Sequence, residues 1–174
     1  MSRTAVAIIS GVLSLAVSVS VGAQDVHRSL DHDYRVVTVA EGLEVPWSMA
    51  WLPGGDMLVT ERPGRLRIIR NGVLLPDAVP GVPAVFAEGQ GGLFDVRPHP
   101  DFASNRLLYL SFAKPSAEGS TTAVVRGRFE NDRFTDVEEV FEAVAQGRGH
   151  YGGRLAFDRN NYLYVTAGDR MVPS

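Results

Sequence analysis

From Tyr34 onward, apolar and polar positions alternate over short runs broken by turn residues, the period-two signature of β-strands. Residues 35–40 predict a first strand and residues 48–52 a second. Pro53-Gly54-Gly55-Asp56 is a turn by its residue types, and residues 57–61 return from it. Pro63-Gly64 turns the chain again before a strand over 66–70, and Asn71-Gly72 ends that strand in a tight hairpin turn. No stretch of this region keeps helical periodicity for more than a turn or two.

The hairpin then recurs. Residues 93–98 lead through His99-Pro100-Asp101-Phe102 into an apolar strand over 107–112, and residues 153–158 lead through Asn160-Asn161 into another over 162–166. Between these copies lie residues 123–129, a turn at Glu130-Asn131-Asp132, and residues 137–141, which read as outer strands. Repeats of about 45 to 60 residues, each with short up-and-down strands, match the blade of a β-propeller. The expected fold is therefore all-β, with only the first two to three blades present. An unrelated β-sandwich also repeats strands and turns, but the matched hairpins favour blades. Propellers close with about four to eight blades, so the sequence is expected to be the N-terminal part of a longer protein, inactive alone.

The N-terminus follows a different pattern. Arg3 precedes an apolar, small-residue stretch from Ala5 to Val21, and Val21-Gly22-Ala23 fits a small-x-small cleavage site before Gln24-Asp25. Residues 1–23 are thus expected to be a signal peptide, residues 24–33 a flexible polar N-terminus, and residues 34–174 the propeller segment. That reading implies a periplasmic or secreted protein with no membrane span after cleavage, since no later segment is long and apolar enough.

Composition narrows the chemistry. The 174-residue chain carries a net charge of −3 and no basic stripe with interleaved aromatics, so nucleic acid is not an expected partner. It contains no cysteine, which removes disulfides, thiolate metal sites and a Cys nucleophile.

The chemistry-bearing run is Gly149-His150-Tyr151-Gly152-Gly153-Arg154-Leu155, followed at the end of the next strand by Gly168-Asp169-Arg170. Glycines permit close approach of a ligand to the backbone. A histidine among them can exchange a proton near neutral pH. The other histidines suggest less: His99 lies in a Pro-rich turn and is expected to be structural, and His27 and His32 sit in the polar N-terminal segment. Trp47 and Trp51 are expected in the core. Arg154 is expected to pair with a carboxylate inside its blade.

Five segments carry a family resemblance: Pro46-Trp47-Ser48-Met49-Ala50-Trp51-Leu52-Pro53, Thr60-Glu61-Arg62-Pro63-Gly64-Arg65-Leu66, Glu88-Gly89-Gln90-Gly91-Gly92-Leu93, His99-Pro100-Asp101-Phe102, and the His150 run. In that order they resemble the soluble glucose/sorbosone dehydrogenases, and more narrowly the aldose sugar dehydrogenases that use pyrroloquinoline quinone (PQQ). The resemblance spans about residues 43–170. It implies a six-bladed propeller that oxidises the anomeric hydroxyl of an aldose sugar to a lactone, passing hydride to PQQ beside a calcium ion. It further implies His150 as the catalytic general base, Gln90 as a substrate-binding residue and Asp169 as an orienting carboxylate. Asp169 could otherwise bond a strand end or pair with Arg154 or Arg170. Where the glucose dehydrogenases proper carry an Asp before the base, this chain has Gly149, which matches the broader aldose branch. The calcium ligands and most quinone-binding residues are expected beyond Ser174, with no metal site in this segment; the electron acceptor is not identifiable from sequence. Two rivals remain open: a metal-dependent propeller lactonase, and a non-catalytic binding propeller.

Overall fold

The computed structural model describes residues 25–117 and 119–171. The signal-peptide assignment to residues 1–23 lies outside them. The chain divides into two compact units, one ending at Thr38 and one beginning at Val39. In the described part of the first, β1 (Val26–His27) pairs antiparallel with β2 (Tyr34–Arg35), and His27 stacks on Tyr34. The strand expected over residues 35–40 stops at Arg35. Val36, Val37 and Val39 are exposed, because a β-branched run forms a ladder only when a second strand pairs with it. Among the described residues, no strand pairs with residues 36–40.

The second unit is a series of antiparallel meanders. β3 (Pro46–Trp51), β4 (Met57–Glu61), β5 (Arg65–Arg70) and β6 (Val73–Leu74) form one four-stranded sheet in chain order. β7 (Leu93–Pro98), the one-turn helix α1 (Phe102–Asn105), β8 (Leu107–Ser116), β9 (Gly119–Glu130) and β10 (Arg133–Glu142) supply a second, ordered β7-β8-β9-β10. β11 (Gly152–Phe157) and β12 (Leu163–Ala167) form a two-stranded third sheet. Two hairpins turn on residue pairs that both adopt positive φ, Asn71 with Gly72 and Asn131 with Asp132. That is the geometry of a tight turn whose twist matches its flanking strands.

The first strands of the three sheets, β3, β7 and β11, lie side by side. Between the first two sheets, Leu58, Leu66, Ile68, Val96, Leu108, Leu110 and Val125 belong to one buried core. Between the second and third, Tyr109, Val124 and Leu155 pack with Phe157, Leu163 and Val165. Stacked meanders joined through their inner strands are the blades of a β-propeller, as the repeats imply.

The inner strands also share a polar hub. Asp95 on β7 is fully buried. Its carboxylate accepts from the Ser48 hydroxyl on β3 and from the Leu155 amide on β11, 2.9 Å away. It lies 3.4 Å from both the Arg97 and the Arg154 guanidinium. One side chain thus ties three sheets together, and it satisfies two groups, the Ser48 hydroxyl and the Leu155 amide, that burial would otherwise leave unpaired. Arg154 does pair with a carboxylate, but with one on the neighbouring sheet. It also covers the face of Trp47 at 5.1 Å.

Trp51 departs from expectation. It is 62% exposed, whereas Trp47 is half-covered by Phe94. Side chains alternate along β3, and the register turns Ser48 and Ala50 inward, leaving Met49 and Trp51 on the opposite face. His99 is structural, as expected: its Nδ1 accepts from the Asp101 amide at 3.0 Å, and its ring packs on Tyr109 and Phe157.

Candidate active site at the strand entry rim

Gln90 precedes β7, His150 precedes β11, and Asp169 follows β12. The antiparallel order brings all three to the end of the sheets where the inner strands begin. The three residues singled out from sequence therefore meet, Gln90 and His150 across 60 residues of chain.

The Gln90 loop is held from below by Arg62, which follows β4. One guanidinium nitrogen donates to the carbonyls of Ala87, Gly89 and Gly91 at 3.0, 3.0 and 3.1 Å. The Gln90 side chain then reaches across the rim, and its Oε1 accepts the His150 backbone N–H at 2.8 Å. Gln90 is thus at the site, but its oxygen is engaged in fixing His150.

His150 adopts a φ of 48°, uncommon for a residue with a side chain. Its Nδ1 lies 2.7 Å from Asp169 Oδ1. The same carboxylate oxygen accepts the Met171 amide at 3.0 Å. These two contacts, the Met171 amide foremost, hold the Asp169 carboxyl below its ordinary pKa. A ring carrying its proton on Nδ1 donates to this carboxylate and keeps Nε2 as its lone-pair nitrogen. Half the imidazole is exposed. Among the described residues, neither His150 Nε2 nor Gln90 Nε2 makes a hydrogen bond within the chain. One rim therefore presents a proton acceptor and an amide donor.

The backbone under His150 is close-packed. A Cβ on Gly168 would lie 1.9 Å from the His150 carbonyl oxygen, so the return of the chain after β12 needs a residue with no side chain there. A Cβ on Gly149 would meet the Met171 sulfur at 2.3 Å. Arg170, only 1% exposed, donates to the His150 carbonyl at 3.1 Å, the Gly149 carbonyl at 2.6 Å and the Thr122 hydroxyl at 3.1 Å. Its guanidinium carbon sits 3.6 Å above the Tyr151 ring. Burial pulls this guanidinium below the ordinary arginine pKa.

Sequence reasoning did not find Arg62, Asp95 or Arg170. Arg62 and Arg170 act on backbone carbonyls, which leave no mark in a side-chain pattern. Asp95 sits in a strand that otherwise reads as core. A groove of about 670 Å³, lined by Trp51, Arg97, His99 and Phe157, lies elsewhere, at the far end of the inner strands. The convergence of an imidazole, a carboxylate and an amide is the stronger indicator of chemistry, because reaction depends on placed polar groups rather than volume.

Comparison with known proteins converges on one family. The family model for glucose/sorbosone dehydrogenase matches residues 43–174. The aldose sugar dehydrogenase of Escherichia coli is 40% identical over 140 residues, which is 77% of this chain and 38% of that protein. A crystal structure of a glucose dehydrogenase superposes with a TM-score of 0.72 at 46% identity, covering 75% of this chain and 39% of the other. The PQQ-bound aldose sugar dehydrogenase of Streptomyces coelicolor gives a TM-score of 0.66 at 32% identity, covering 79% and 42%. The chain thus spans about two fifths of the length of these relatives.

Proposed function

The chain belongs to the glucose/sorbosone dehydrogenase family, and from that footing we propose that the whole protein oxidises the anomeric hydroxyl of an aldose to a lactone with PQQ as cofactor. In this reading the chain supplies the first blades of a longer propeller and the proton-handling side of its active site. The observation that carries the reading is the His150–Asp169 pair on the entry rim, with Nε2 of the imidazole left open.

The residues present fit part of the implied centre. Gln90 and His150 offer uncharged polar groups suited to a sugar hydroxyl, since an amide donates and a neutral imidazole accepts. The rim arginines Arg62 and Arg170 are already committed to backbone carbonyls. Among the described residues, no three His, Asp or Glu side chains gather into a metal site. We therefore assign calcium and the quinone carboxylates to parts of the whole protein outside this chain.

When bound, PQQ supplies a two-electron acceptor for hydride. The chain's own task is the proton. As hydride leaves the anomeric carbon, His150 Nε2 takes the proton of the hydroxyl on that carbon, and the C–O bond becomes the lactone carbonyl. Losing hydride alone would build positive charge on that carbon; removing the proton in concert avoids it. Asp169 stabilises the imidazolium that forms and fixes the ring's tautomer and direction. Gln90 Oε1 holds the His150 backbone, and its amide Nε2 is free to donate to a sugar hydroxyl.

The signal-like pattern of residues 1–23 supports a periplasmic or secreted location. Gly149, packed against Met171 rather than carrying a carboxylate, supports breadth among aldoses over strict glucose selectivity. The test is dye-coupled aldose oxidation by the whole protein after addition of PQQ and calcium. We expect quinone- and sugar-dependent reduction. Absence of reduction with any aldose, after demonstrated quinone uptake, overturns the reading.

A further inference from the structure

We propose that Arg170 is a positioning residue for the base, holding the His150 turn in its reactive conformation through the backbone; this rests on the reading of His150 as the proton acceptor. Its charge is met by main-chain carbonyls, a hydroxyl and an aromatic face. Arg62 at the rim is also bound to carbonyls, while several other arginines of the blades meet carboxylates: Arg65 and Arg67 at Glu61, Arg70 at Asp56 and Asp132, Arg126 at Glu138. Arg170 is more deeply buried than these, yet among the described residues it pairs with none.

Its neighbour Asp169 makes no direct ion pair with it. That carboxylate turns to the His150 ring, while the guanidinium passes beneath and binds the carbonyls of Gly149 and His150. Consecutive residues thus grip one histidine from two sides, Asp169 by the ring and Arg170 by the main chain. His150 and Arg170 both adopt positive φ, at 48° and 59°. Residues with side chains stay in that region only when surrounding contacts over-determine them. Arg170 supplies those contacts, and its stack on Tyr151 fixes the residue that follows the base.

A core-filling role alone does not explain this choice. An apolar side chain would fill the space without burying a charge. A lysine would bring a charge but not the planar fork that reaches two successive carbonyls and lies flat on a ring. The neighbouring Thr122 is the third support: its hydroxyl accepts from Arg170 and donates to the Tyr151 carbonyl at 2.7 Å.

The experiment compares Arg170→Lys, Arg170→Ala and the milder Thr122→Val with the unsubstituted whole protein loaded with PQQ and calcium. Two readouts are taken on each: steady-state aldose oxidation, and hydrogen–deuterium exchange of the His150 amide, which is protected by Gln90. Displacement of a base by an ångström or so lowers turnover by up to about 100-fold. We expect kcat to fall roughly 10- to 100-fold in both Arg170 variants with KM nearly unchanged, and less in Thr122→Val. The His150 amide is expected to exchange faster while Leu58 and Leu110 in the core keep their protection. Millimolar guanidinium is expected to restore part of the turnover of Arg170→Ala, where equal sodium chloride does not. Normal turnover with unchanged His150 exchange overturns the proposal. So does a loss of exchange protection spread evenly over the blades without guanidinium rescue, the mark of a purely structural role. If the unsubstituted protein oxidises no aldose, the dehydrogenase reading fails, and His150 exchange still decides whether Arg170 holds the turn.

Discussion

Glu61 and Arg170 are both charged and both sealed from solvent, yet they are neutralised in opposite ways. Glu61, at the end of β4, is fully buried and accepts from the Arg65 guanidinium at 2.6 Å, the Glu44 amide at 2.6 Å and Arg67 at 3.3 Å. Burial works to raise its pKa, but Arg65, the Glu44 amide and Arg67 together outweigh burial and hold the carboxyl below its ordinary value. Arg170 is satisfied by carbonyl and hydroxyl dipoles and an aromatic face. The first arrangement matches charge with charge and closes a corner of a blade. The second matches charge with backbone and leaves the adjacent carboxylate for the imidazole. The first kind of cluster ties strands of one blade together; the second fixes the backbone on either side of one histidine.

That contrast is broken most directly by removing the histidine. In the whole protein, His150→Ala is expected to lower kcat by roughly 10²- to 10⁴-fold, the usual contribution of a positioned general base. Quinone uptake, followed by absorbance, is expected to survive, because the residues proposed to hold the cofactor lie outside this chain.

Glu61→Gln probes the other side. It leaves Arg65 and Arg67 facing a neutral amide in a buried corner. Breaking a buried ion pair from one side costs about 3–5 kcal/mol, and urea unfolding is expected to register a loss of that order, with kcat per folded molecule close to that of the unsubstituted protein. The pH dependence follows from the sign of the shift. A carboxyl whose folded pKa is depressed contributes stability above its unfolded value, about 4.3, and loses it as pH falls through the folded value. The unsubstituted protein is therefore expected to lose stability below about pH 4 to 5, and the slope there is expected to flatten in Glu61→Gln. A variant as stable as the parent, with the same acid slope, contradicts the charge-for-charge reading.

The smallest effect is expected at Gln90. Its oxygen anchors the His150 amide and its nitrogen faces the open rim, so Gln90→Ala is expected to change both kinetic constants. A rise in KM and a fall in kcat, each of about 3- to 10-fold, follow from losing one hydrogen bond of ordinary strength in each role. A change in KM alone would show that the anchor to His150 is dispensable.

The blades were legible in the sequence because their physics is local. Alternation marks the buried face of each strand, and Asn71-Gly72 and Glu130-Asn131-Asp132 announce turns that need positive φ. Where a side chain's fate depends on other strands, the sequence said less. Residues 36–40 look like a strand but lack a partner among the described residues, and Trp51 carries a core residue's composition on an exposed face. At the site, His150, Gln90 and Asp169 could be named from their motifs, and the fold brings them together. The supports could not. Arg62 and Arg170 bind main-chain oxygens, which every residue carries, and Asp95 joins strands separated by dozens of residues. Arg154, a possible partner of Asp169 by sequence, is instead drawn to Asp95.

In the proposed reaction a neutral His150, fixed by Asp169, accepts the substrate proton. The most direct test of this step is the pH profile of aldose oxidation at saturating PQQ and calcium, for the unsubstituted whole protein and for His150→Ala. We expect the unsubstituted protein to show an acid limb, since turnover requires the imidazole to be unprotonated, and we expect the residual rate of the variant to lack it. A variant that keeps near-normal turnover with the same acid limb would show that another group takes the proton and that the rim histidine is an ordinary loop residue.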